Sequence, residues 1–330
     1  MHDLPITRRS LLSGSAALAT VGLLGKRIIA SADAKAPLTN TQAPAFYRFK
    51  LGAIEATVVS DGPIGPLGEP SATFIGAPKE EIGNILSENF LVTDTTLFEQ
   101  NALVVNTGEQ LVLFDTGMGA SKMLGPNTGR LSASLKAAGI DRDDVDAVVL
   151  THAHPDHCWG LTDNDGKPSF PNAQIYLAEA DFDFWTDEAK LSQETIKPMI
   201  EGARKNLHSN RERIVFVKDG EEFLPGIQAM AAPGHTVGHT AYMIASQGKT
   251  LCFAGDLALH HILSVEKPRL AFVFDTDPKQ AVSTRLRALD MLASQRLPFL
   301  AYHFPWPGIG HVAKQDDGFR YFAMPMRMVF

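Results

Sequence analysis

The chain has 330 residues, of which 45% are hydrophobic, which is enough apolar material for a large buried core. Its formal net charge is −7 and it contains no long basic run, which argues against a nucleic acid partner. Its two cysteines, Cys158 and Cys252, do not make a disulfide framework. Composition thus indicates a globular protein whose fold does not rely on disulfide bonds.

The N-terminus carries a pattern typical of export. The pair Arg8-Arg9 precedes a small apolar run that is shorter than the ~20 residues of a membrane span. The run leads to a small-x-small cleavage pattern at Ala32-Asp33-Ala34. Paired arginines before such a run resemble a twin-arginine signal, and the alternative is a positively charged terminus without a targeting role. We expect a signal peptide over 1–34, a periplasmic or secreted protein, and one mature domain over 35–330 without a membrane span.

The mature part alternates between segments with strand-like and helical patterns. Apolar runs predict strands in pairs within 46–60 and 102–114, and single strands at 145–150, 174–177, 214–217, 227–232, 241–245, 250–253 and 299–302. Helical spacing predicts helices over 130–139, over most of 181–207 with an interruption at Pro198, and over 278–294. Periodicity alone therefore indicates mixed α and β structure in two strand-rich blocks.

Side chains that suit a metal ion follow the predicted strand 145–150. His152, His154, Asp156 and His157 lie within six residues there. Neutral imidazole and carboxylate together suit a borderline cation such as zinc, and the alternative is a polar loop with scattered histidines. Three further candidates each follow a later predicted strand: His235, Asp256 and His303. Loops at strand ends can hold widely separated ligands at one point.

The order and context of these motifs resemble the metallo-β-lactamase superfamily, in its branch of two-metal hydrolases, from about residue 45 to residue 325. The resemblance implies an α/β fold, a four-layer αββα sandwich, and two divalent metal ions, with zinc the expected metal. It assigns His152, His154 and His235 to the first ion, Asp156, His157 and His303 to the second, and Asp256 to both. A hydroxide between the ions would attack the substrate, with Asp256 and Asp156 as the catalytic carboxylates.

Several neighbours of these ligands are candidates for hydrogen-bond support. Metal-bound histidines usually need a partner on their other ring nitrogen, and we assign this role to Asp61, Asp115 and His239. For both aspartates the alternative is an ordinary turn residue. Cys158 is either a reactive thiol or ligand, or a small buried neighbour, and His311 either lines the site or caps a turn.

The segments 124–131, 170–173, 183–185 and 304–311 resemble methyl parathion hydrolase and its relatives. Carried over by position, this resemblance places four side chains around the leaving group: Leu124, Trp185, Met199 and Phe274. Ordinary core packing is the alternative for each. Quorum-quenching lactonases share the seven ligands but have a tyrosine three residues after the bridging aspartate, where it assists the substrate carbonyl. This chain has Leu259 there, which the resemblance therefore also places in the substrate pocket.

We therefore predict an exported hydrolase of hydrophobic aryl esters or phosphotriesters, with acyl-homoserine lactone hydrolysis as the alternative. Hydrolytic dehalogenation of aryl halides is a further alternative, and β-lactam hydrolysis is disfavoured because true β-lactamases of this fold generally lack the bridging aspartate. Two other classes remain to be weighed against a hydrolase: a non-enzymatic metal-binding protein and an iron-containing redox protein. The resemblance also implies a homodimer.

Overall fold

Two seven-stranded sheets dominate the part of the chain that the computed structural model describes, which comprises residues 38, 42 and 45–327. The predicted signal peptide lies outside the described residues. The strands are β1 (Phe46–Leu51), β2 (Ile54–Ser60), β3 (Phe74–Ile75), β4 (Asn101–Asn106), β5 (Leu111–Phe114), β6 (Ala147–Val149), β7 (Gln174–Ala178), β8 (Ile214–Val217), β9 (Glu222–Leu224), β10 (Ile227–Ala231), β11 (Thr240–Ser246), β12 (Lys249–Phe253), β13 (Ala271–Phe272), β14 (Phe299–Leu300), β15 (Ile309–Gln315) and β16 (Gly318–Ala323).

Helices connect and flank these strands. They are α1 (Pro70–Thr73), α2 (Lys79–Glu88), α3 (Leu131–Ala137), α4 (Pro155–Cys158), α5 (Glu179–Thr186), α6 (Lys197–His208), α7 (Leu263–Glu266) and α8 (Pro278–Ser294). Within the described residues, none of them is long and apolar enough to cross a membrane.

The two sheets are both mixed but differ in how many of their strand pairs are parallel. The first has the order β1-β2-β4-β5-β6-β7-β8 and the second the order β16-β15-β14-β12-β11-β10-β9. The first is antiparallel from β1 to β5 and parallel from β5 to β8. The second is antiparallel except where β12 runs parallel to β14. Mixed sheets of this kind need cover on both faces where they are parallel.

The main core lies between the sheets, where buried side chains of both meet, such as Val58 and Leu113 of the first and Ile244 and Leu251 of the second. Helix α3 contacts β1 and β2 on one outer face, and α8 contacts β15 on the other. A second cluster joins α8 to its sheet through Leu289. The order helix, sheet, sheet, helix confirms the four-layer αββα sandwich.

The strongly periodic segments were predicted well, and the helix over 278–294 has the predicted bounds. The segment 181–207, predicted to be mostly helical with an interruption at Pro198, forms two helices whose break lies earlier, between Thr186 and Lys197. Pro198 lies in the first turn of α6, where a missing backbone N–H costs nothing. Nine elements were not predicted: α1, α2, α4, α7, β3, β9, β13, β15 and β16. Most of these are short, and strand β15 alternates weakly because its outer half, towards Gln315, is exposed.

One edge of the sandwich collects the carboxyl ends of several strands. Strands β2, β5 and β6 point in one direction in the first sheet, and β10, β12 and β14 share a direction in the second. The sheets are tied at this edge, since the Tyr242 hydroxyl of β11 donates to the Leu150 carbonyl after β6 at 2.8 Å. Side chains that follow these strands therefore converge.

Candidate metal centre

The four polar residues after β6 lie in a loop that turns into the short helix α4. Pro155 opens this helix, a position that suits its fixed φ angle, and His154 precedes it in an extended conformation. The turn places His152, His154, Asp156 and His157 close together, and all four are buried. Buried polar side chains need partners, so these four side chains require further polar groups from elsewhere in the fold.

Those partners come from the second sheet. His235 follows β10, Asp256 follows β12, and His303 follows β14. Together with the loop after β6 they form three groups of donor atoms lying within 4.8 Å of one another: His152, His154 and His235; His152, His157 and Asp256; Asp156, His157 and His303. The structure thus brings all seven predicted ligands to one place. The first and third groups correspond to the two sets that the resemblance implied, and the second group joins Asp256 to one residue of each.

Asp256 lies between the two sets. One of its oxygens, Oδ2, is 3.1 Å from His235 Nε2 and also 3.1 Å from His303 Nε2. Its other oxygen, Oδ1, is 3.4 Å from His157 Nε2. A carboxylate that faces donors of both sets is placed to bridge two cations.

Orphaned atoms show that the donor set fits metal ions. His152 Nε2, His157 Nε2 and Asp256 Oδ1 are buried and have no hydrogen-bond partner. A buried polar atom without a partner costs about 1–3 kcal/mol, and a coordinated ion removes that cost. The imidazoles and carboxylates are the ligand types of zinc and similar divalent ions. The cluster is therefore a binding site for two divalent metal ions.

The electrostatics of the cluster point the same way. Burial holds the pKa of His152 and of His154 well below the usual value, so both imidazoles stay neutral, which is the form that binds metals. Burial also opposes ionisation of Asp256, but the imidazoles of His303 and His157 hold its pKa well below its usual range. For His303, burial is outweighed by Asp256 and Asp156, which raise its pKa to about 10. The buried carboxylates of Asp256 and Asp156 therefore favour a positive charge beside them.

Asp115 supports ligands of both sets, as the sequence predicted. Its Oδ2 atom lies 2.8 Å from His157 Nδ1 and accepts a hydrogen bond from the Thr151 hydroxyl at 2.9 Å. That hydroxyl oxygen is in turn 2.9 Å from His152 Nδ1. With His152 donating to Thr151 and Thr151 donating to Asp115, the Nε2 atoms of His152 and His157 are left to bind the metals. Thr151 was not among the predicted support residues.

The other ligands are held from different directions. His239 donates through Nδ1 to the Ala232 carbonyl and accepts the backbone N–H of Asp256 on Nε2, at 3.0 and 2.9 Å. Burial and the nearby His235 lower its pKa to about 3, which keeps this two-sided arrangement neutral. His239 therefore holds the backbone of Asp256 and not the ring of a histidine ligand. His235 Nδ1 lies 2.9 Å from Asp275 Oδ1, a partner that the sequence analysis missed.

Further buried groups that the sequence analysis missed fix the loops to one another. Asp181 accepts the backbone N–H groups of Ala153 and Gly238, each at 2.7 Å, and so joins the loop after β6 to the loop after β10. Tyr302 donates its hydroxyl to the Asp156 carbonyl at 2.8 Å. Asp181 lies in an otherwise ordinary helical pattern, so nothing in the sequence marks its burial.

A mainly apolar pocket opens onto the donors. Four of the predicted pocket residues line it: Leu124, Met199, Leu259 and Phe274. Trp185 is not among the lining residues; it is buried and packs edge-on against His154, with ring centroids 4.9 Å apart. Further apolar lining comes from Ile64, Leu67, Phe98 and Phe272, which were not predicted. One side of the centre is thus left open to a hydrophobic substrate.

Three remaining candidates, Asp61, Cys158 and His311, do not belong to the groups of metal donors. Asp61 accepts the backbone N–H groups of Met118, Gly129 and Leu131 at 2.8–3.0 Å, so it anchors the loop that carries Leu124 and is not hydrogen-bonded to a ligand. Burial raises its pKa to about 6, against the effect of those N–H groups.

Cys158 donates its thiol to the Ala153 carbonyl at 3.4 Å, and burial raises its pKa well above the usual value. A thiol held in this way stays protonated and packs as a small buried side chain. His311 lies in β15, away from the residues that line the pocket on the metal centre.

A family model described as the metallo-beta-lactamase superfamily matches residues 95–298, which is more than half of the chain. Among solved structures, the chain is similar to AidC, a dizinc quorum-quenching lactonase in complex with a product, with 30% identity, 87% of this chain and 100% of that chain covered, and a TM-score of 0.82. It is also similar to AbOPH, a hydrolase in the beta lactamase superfamily, with 28% identity, the same coverage, and a TM-score of 0.80.

Curated relatives are more distant. An N-acyl homoserine lactonase of Bacillus thuringiensis is 23% identical over 195 residues, which cover 58% of this chain and 66% of that protein. A probable metallo-hydrolase of Mycobacterium tuberculosis is 23% identical over 206 residues, which cover 54% of this chain and 63% of that protein. The matched stretch therefore spans less than two thirds of either relative.

The shared position of Asp256 leads to a first prediction. Purified protein is expected to hold two equivalents of divalent metal, and Asp256→Ala should reduce this to one or fewer, because a single carboxylate serves both donor sets. Elemental analysis after dialysis measures the content. Asp290→Ala, which removes an exposed carboxylate on α8, is the control and should keep two equivalents. Two tightly held equivalents in Asp256→Ala would contradict the bridging role.

The Thr151 hydroxyl gives a second prediction. Thr151→Val keeps the shape of the side chain but removes the link between His152 and Asp115, so metal affinity should fall roughly 10–100-fold, as is usual for partners of metal-bound histidines. Thr151→Ser restores the hydroxyl and should bind metal within about 3-fold of the original chain. Competition with a chromophoric chelator measures both. Equal affinities in the two variants would show that the hydroxyl does not orient His152.

Proposed function

This chain belongs to the metallo-beta-lactamase superfamily, and on that basis we propose that it is a two-metal hydrolase that opens lactone rings carrying an apolar arm. A metal-dependent hydrolase is supported by the donor cluster and by the relatives that carry that description. The lactone substrate rests on one observation above the others: the chain covers the whole of a dizinc lactonase at 30% identity. Zinc suits the imidazole and carboxylate donors as well as that likeness.

The residues of the chain provide a site for such a reaction. Metal ions held by the seven donors would supply a nucleophilic hydroxide near neutral pH and withdraw charge from the substrate carbonyl. Asp256 and Asp156 place carboxylate oxygens in the donor cluster, where Asp256 can accept the proton of the attacking hydroxide and pass it to the ring oxygen as that oxygen leaves. The apolar wall formed by Phe98, Leu259 and Phe272 excludes water from the remainder of the substrate. No serine or cysteine nucleophile is needed.

A second candidate class is hydrophobic aryl esters, including phosphotriesters. The observation that favours it is Leu259, which lines the pocket and is almost fully buried. The sequence comparison with lactonases expected a tyrosine hydroxyl at this position, and leucine offers no hydrogen bond to a developing oxyanion. An activated aryl ester depends less on such help, because its leaving group is already stable. We rank this class below lactones, in reverse of the order that the sequence favoured.

Position 259 supplies the prediction that separates the two classes. Leu259→Tyr should raise kcat/KM for acyl-homoserine lactones relative to aryl esters by about tenfold, which is less than the ~10²-fold loss typical when an evolved oxyanion donor is removed. Leu259→Phe is the matched control, because it adds the ring without the hydroxyl. Both variants and the original chain are assayed with zinc on lactones, aryl esters and aryl phosphotriesters side by side.

The outcomes are distinct. A gain in Leu259→Tyr that is absent in Leu259→Phe supports a carbonyl bound close to position 259. An original chain that cleaves aryl esters far faster than any lactone would replace the first candidate with the second. Turnover of neither class by protein that holds two metals would refute both.

We also propose that the protein is exported through a twin-arginine route, on the strength of the N-terminal pattern alone. Replacing both arginines, Arg8→Lys with Arg9→Lys, should leave the full-length precursor in the cytoplasm, because the paired guanidinium groups are the feature of the signal that distinguishes it. Cell fractionation and N-terminal sequencing measure this, with cleavage expected near Ala34. Periplasmic protein that still begins at Met1 would contradict the proposal. The homodimer stays a prediction for size measurement in solution.

A further inference from the structure

A buried arginine and aspartate lie behind the metal ligand His235, on the side away from the pocket. Asp275 is held in a short segment between β13 and α8, and Arg285 projects from α8. Both are buried, and Arg285 is only 1% exposed. A charged pair at this depth is expensive to bury and needs a full set of partners.

The partners of Asp275 lead directly to the metal centre. Its Oδ1 atom lies 2.9 Å from His235 Nδ1, and its Oδ2 atom accepts the backbone N–H of Phe272 at 3.0 Å. Because His235 turns its Nε2 atom towards Asp256, the Asp275 carboxylate fixes both the tautomer and the rotation of the ring. Phe272 also lines the substrate pocket, so the same carboxylate holds a piece of the pocket wall.

Arg285 extends the network to a second ligand. Its Nη2 atom lies 3.9 Å from Asp275 Oδ2. Its Nε donates to the carbonyl of Leu257, the residue directly after the bridging Asp256, at 3.0 Å. Its Nη1 donates to the carbonyls of Pro268 and Leu270 at 3.1 and 2.6 Å. One guanidinium thus connects helix α8 to the segments that carry His235, Asp256 and the wall strand β13.

The backbone around this pair is closely fitted. The N–H groups of Thr276 and Asp277 donate to the carbonyls of His235 and Gly234, both at 2.9 Å. Gly234 has φ +130°, and a Cβ atom there would lie 2.1 Å from the Ala281 backbone nitrogen. The loop of His235 therefore approaches the first turn of α8 without any space between them, and the helix is a rigid base for the ligand.

We propose that Asp275 is a positioning residue that sets the affinity of the first metal position, formed by His152, His154 and His235, with little influence on the second, and that Arg285 is a positioning residue that supports it. Asp275 acts on His235 directly, and Arg285 acts by holding Asp275 and the Leu257 carbonyl. The second set, Asp156, His157 and His303, is oriented by other groups, among them Asp115 for His157 and the Glu99 carbonyl for His303. The property affected is metal affinity, which does not depend on which substrate the protein takes.

The test measures each metal position alone. In a His303→Ala background the first position is the one left intact, and in a His154→Ala background it is the second. Metal-free protein is titrated with Zn²⁺ against a chromophoric chelator. Asp275→Asn should weaken Zn²⁺ binding roughly 10–100-fold in the His303→Ala background and less than about 3-fold in the His154→Ala background. Equal losses in both backgrounds, or no loss in the first, would overturn the proposal.

A milder variant keeps the test decisive if Asp275→Asn does not fold. Arg285→Lys retains the charge but cannot reach three carbonyls and a carboxylate at once, so first-position affinity should fall several-fold. Second-position affinity should fall by less, because Arg285 reaches that position only through Leu257, the neighbour of the shared Asp256. Unchanged first-position affinity in Arg285→Lys would refute the role of the arginine. Arg213→Lys is the matched control, because Arg213 also donates to backbone carbonyls, those of Phe170, Pro171 and Ala173, but contacts no metal ligand. It should leave both positions unchanged.

Discussion

The carboxylate of Asp256, held between two sets of buried imidazoles, is the constraint on which the rest of the site depends. Its two oxygens face His235, His303 and His157, which come from three different loops. Buried negative charge of this kind is stable only when cations balance it. Because this one carboxylate faces donors of both sets, the loops that carry the other donors have to be held in register with it.

That register is maintained by uncharged contacts as much as by charged ones. The backbone N–H of Asp256 is fixed by the neutral ring of His239, and the hydroxyl of Thr151 joins His152 to the carboxylate that orients His157. Asp181 binds two loops through their backbone N–H groups. Each contact crosses between strand ends that the two sheets bring to one edge, so the sandwich acts as the frame and the polar groups determine the final geometry.

The sequence predicted the parts of this arrangement that have a local signature. The ligands after β6 are concentrated in one motif, and His235, Asp256 and His303 each follow an apolar strand-like run. Asp115 was predicted because it also ends a strand. Asp181, Asp275 and Arg285 were missed, since a charged residue in a helical or irregular segment is usually solvated and nothing local indicates that it is buried. Long-range partners decided their roles, and such partners become visible only in the folded chain.

In the substrate pocket, too, some residues were predicted from the sequence and others were not. Leu124, Met199, Leu259 and Phe274 were predicted by position, yet the wall also needs Ile64, Phe98 and Phe272, which lie in segments without a clear periodic pattern. Trp185, expected in the wall, instead packs behind His154, where it stiffens a ligand. The pocket wall and a metal ligand are held by one residue, since Asp275 is hydrogen-bonded to both Phe272 and His235. A change in the wall of this pocket is therefore expected to reach the first metal position through Asp275, and we expect substrate preference and metal affinity in this chain to be coupled.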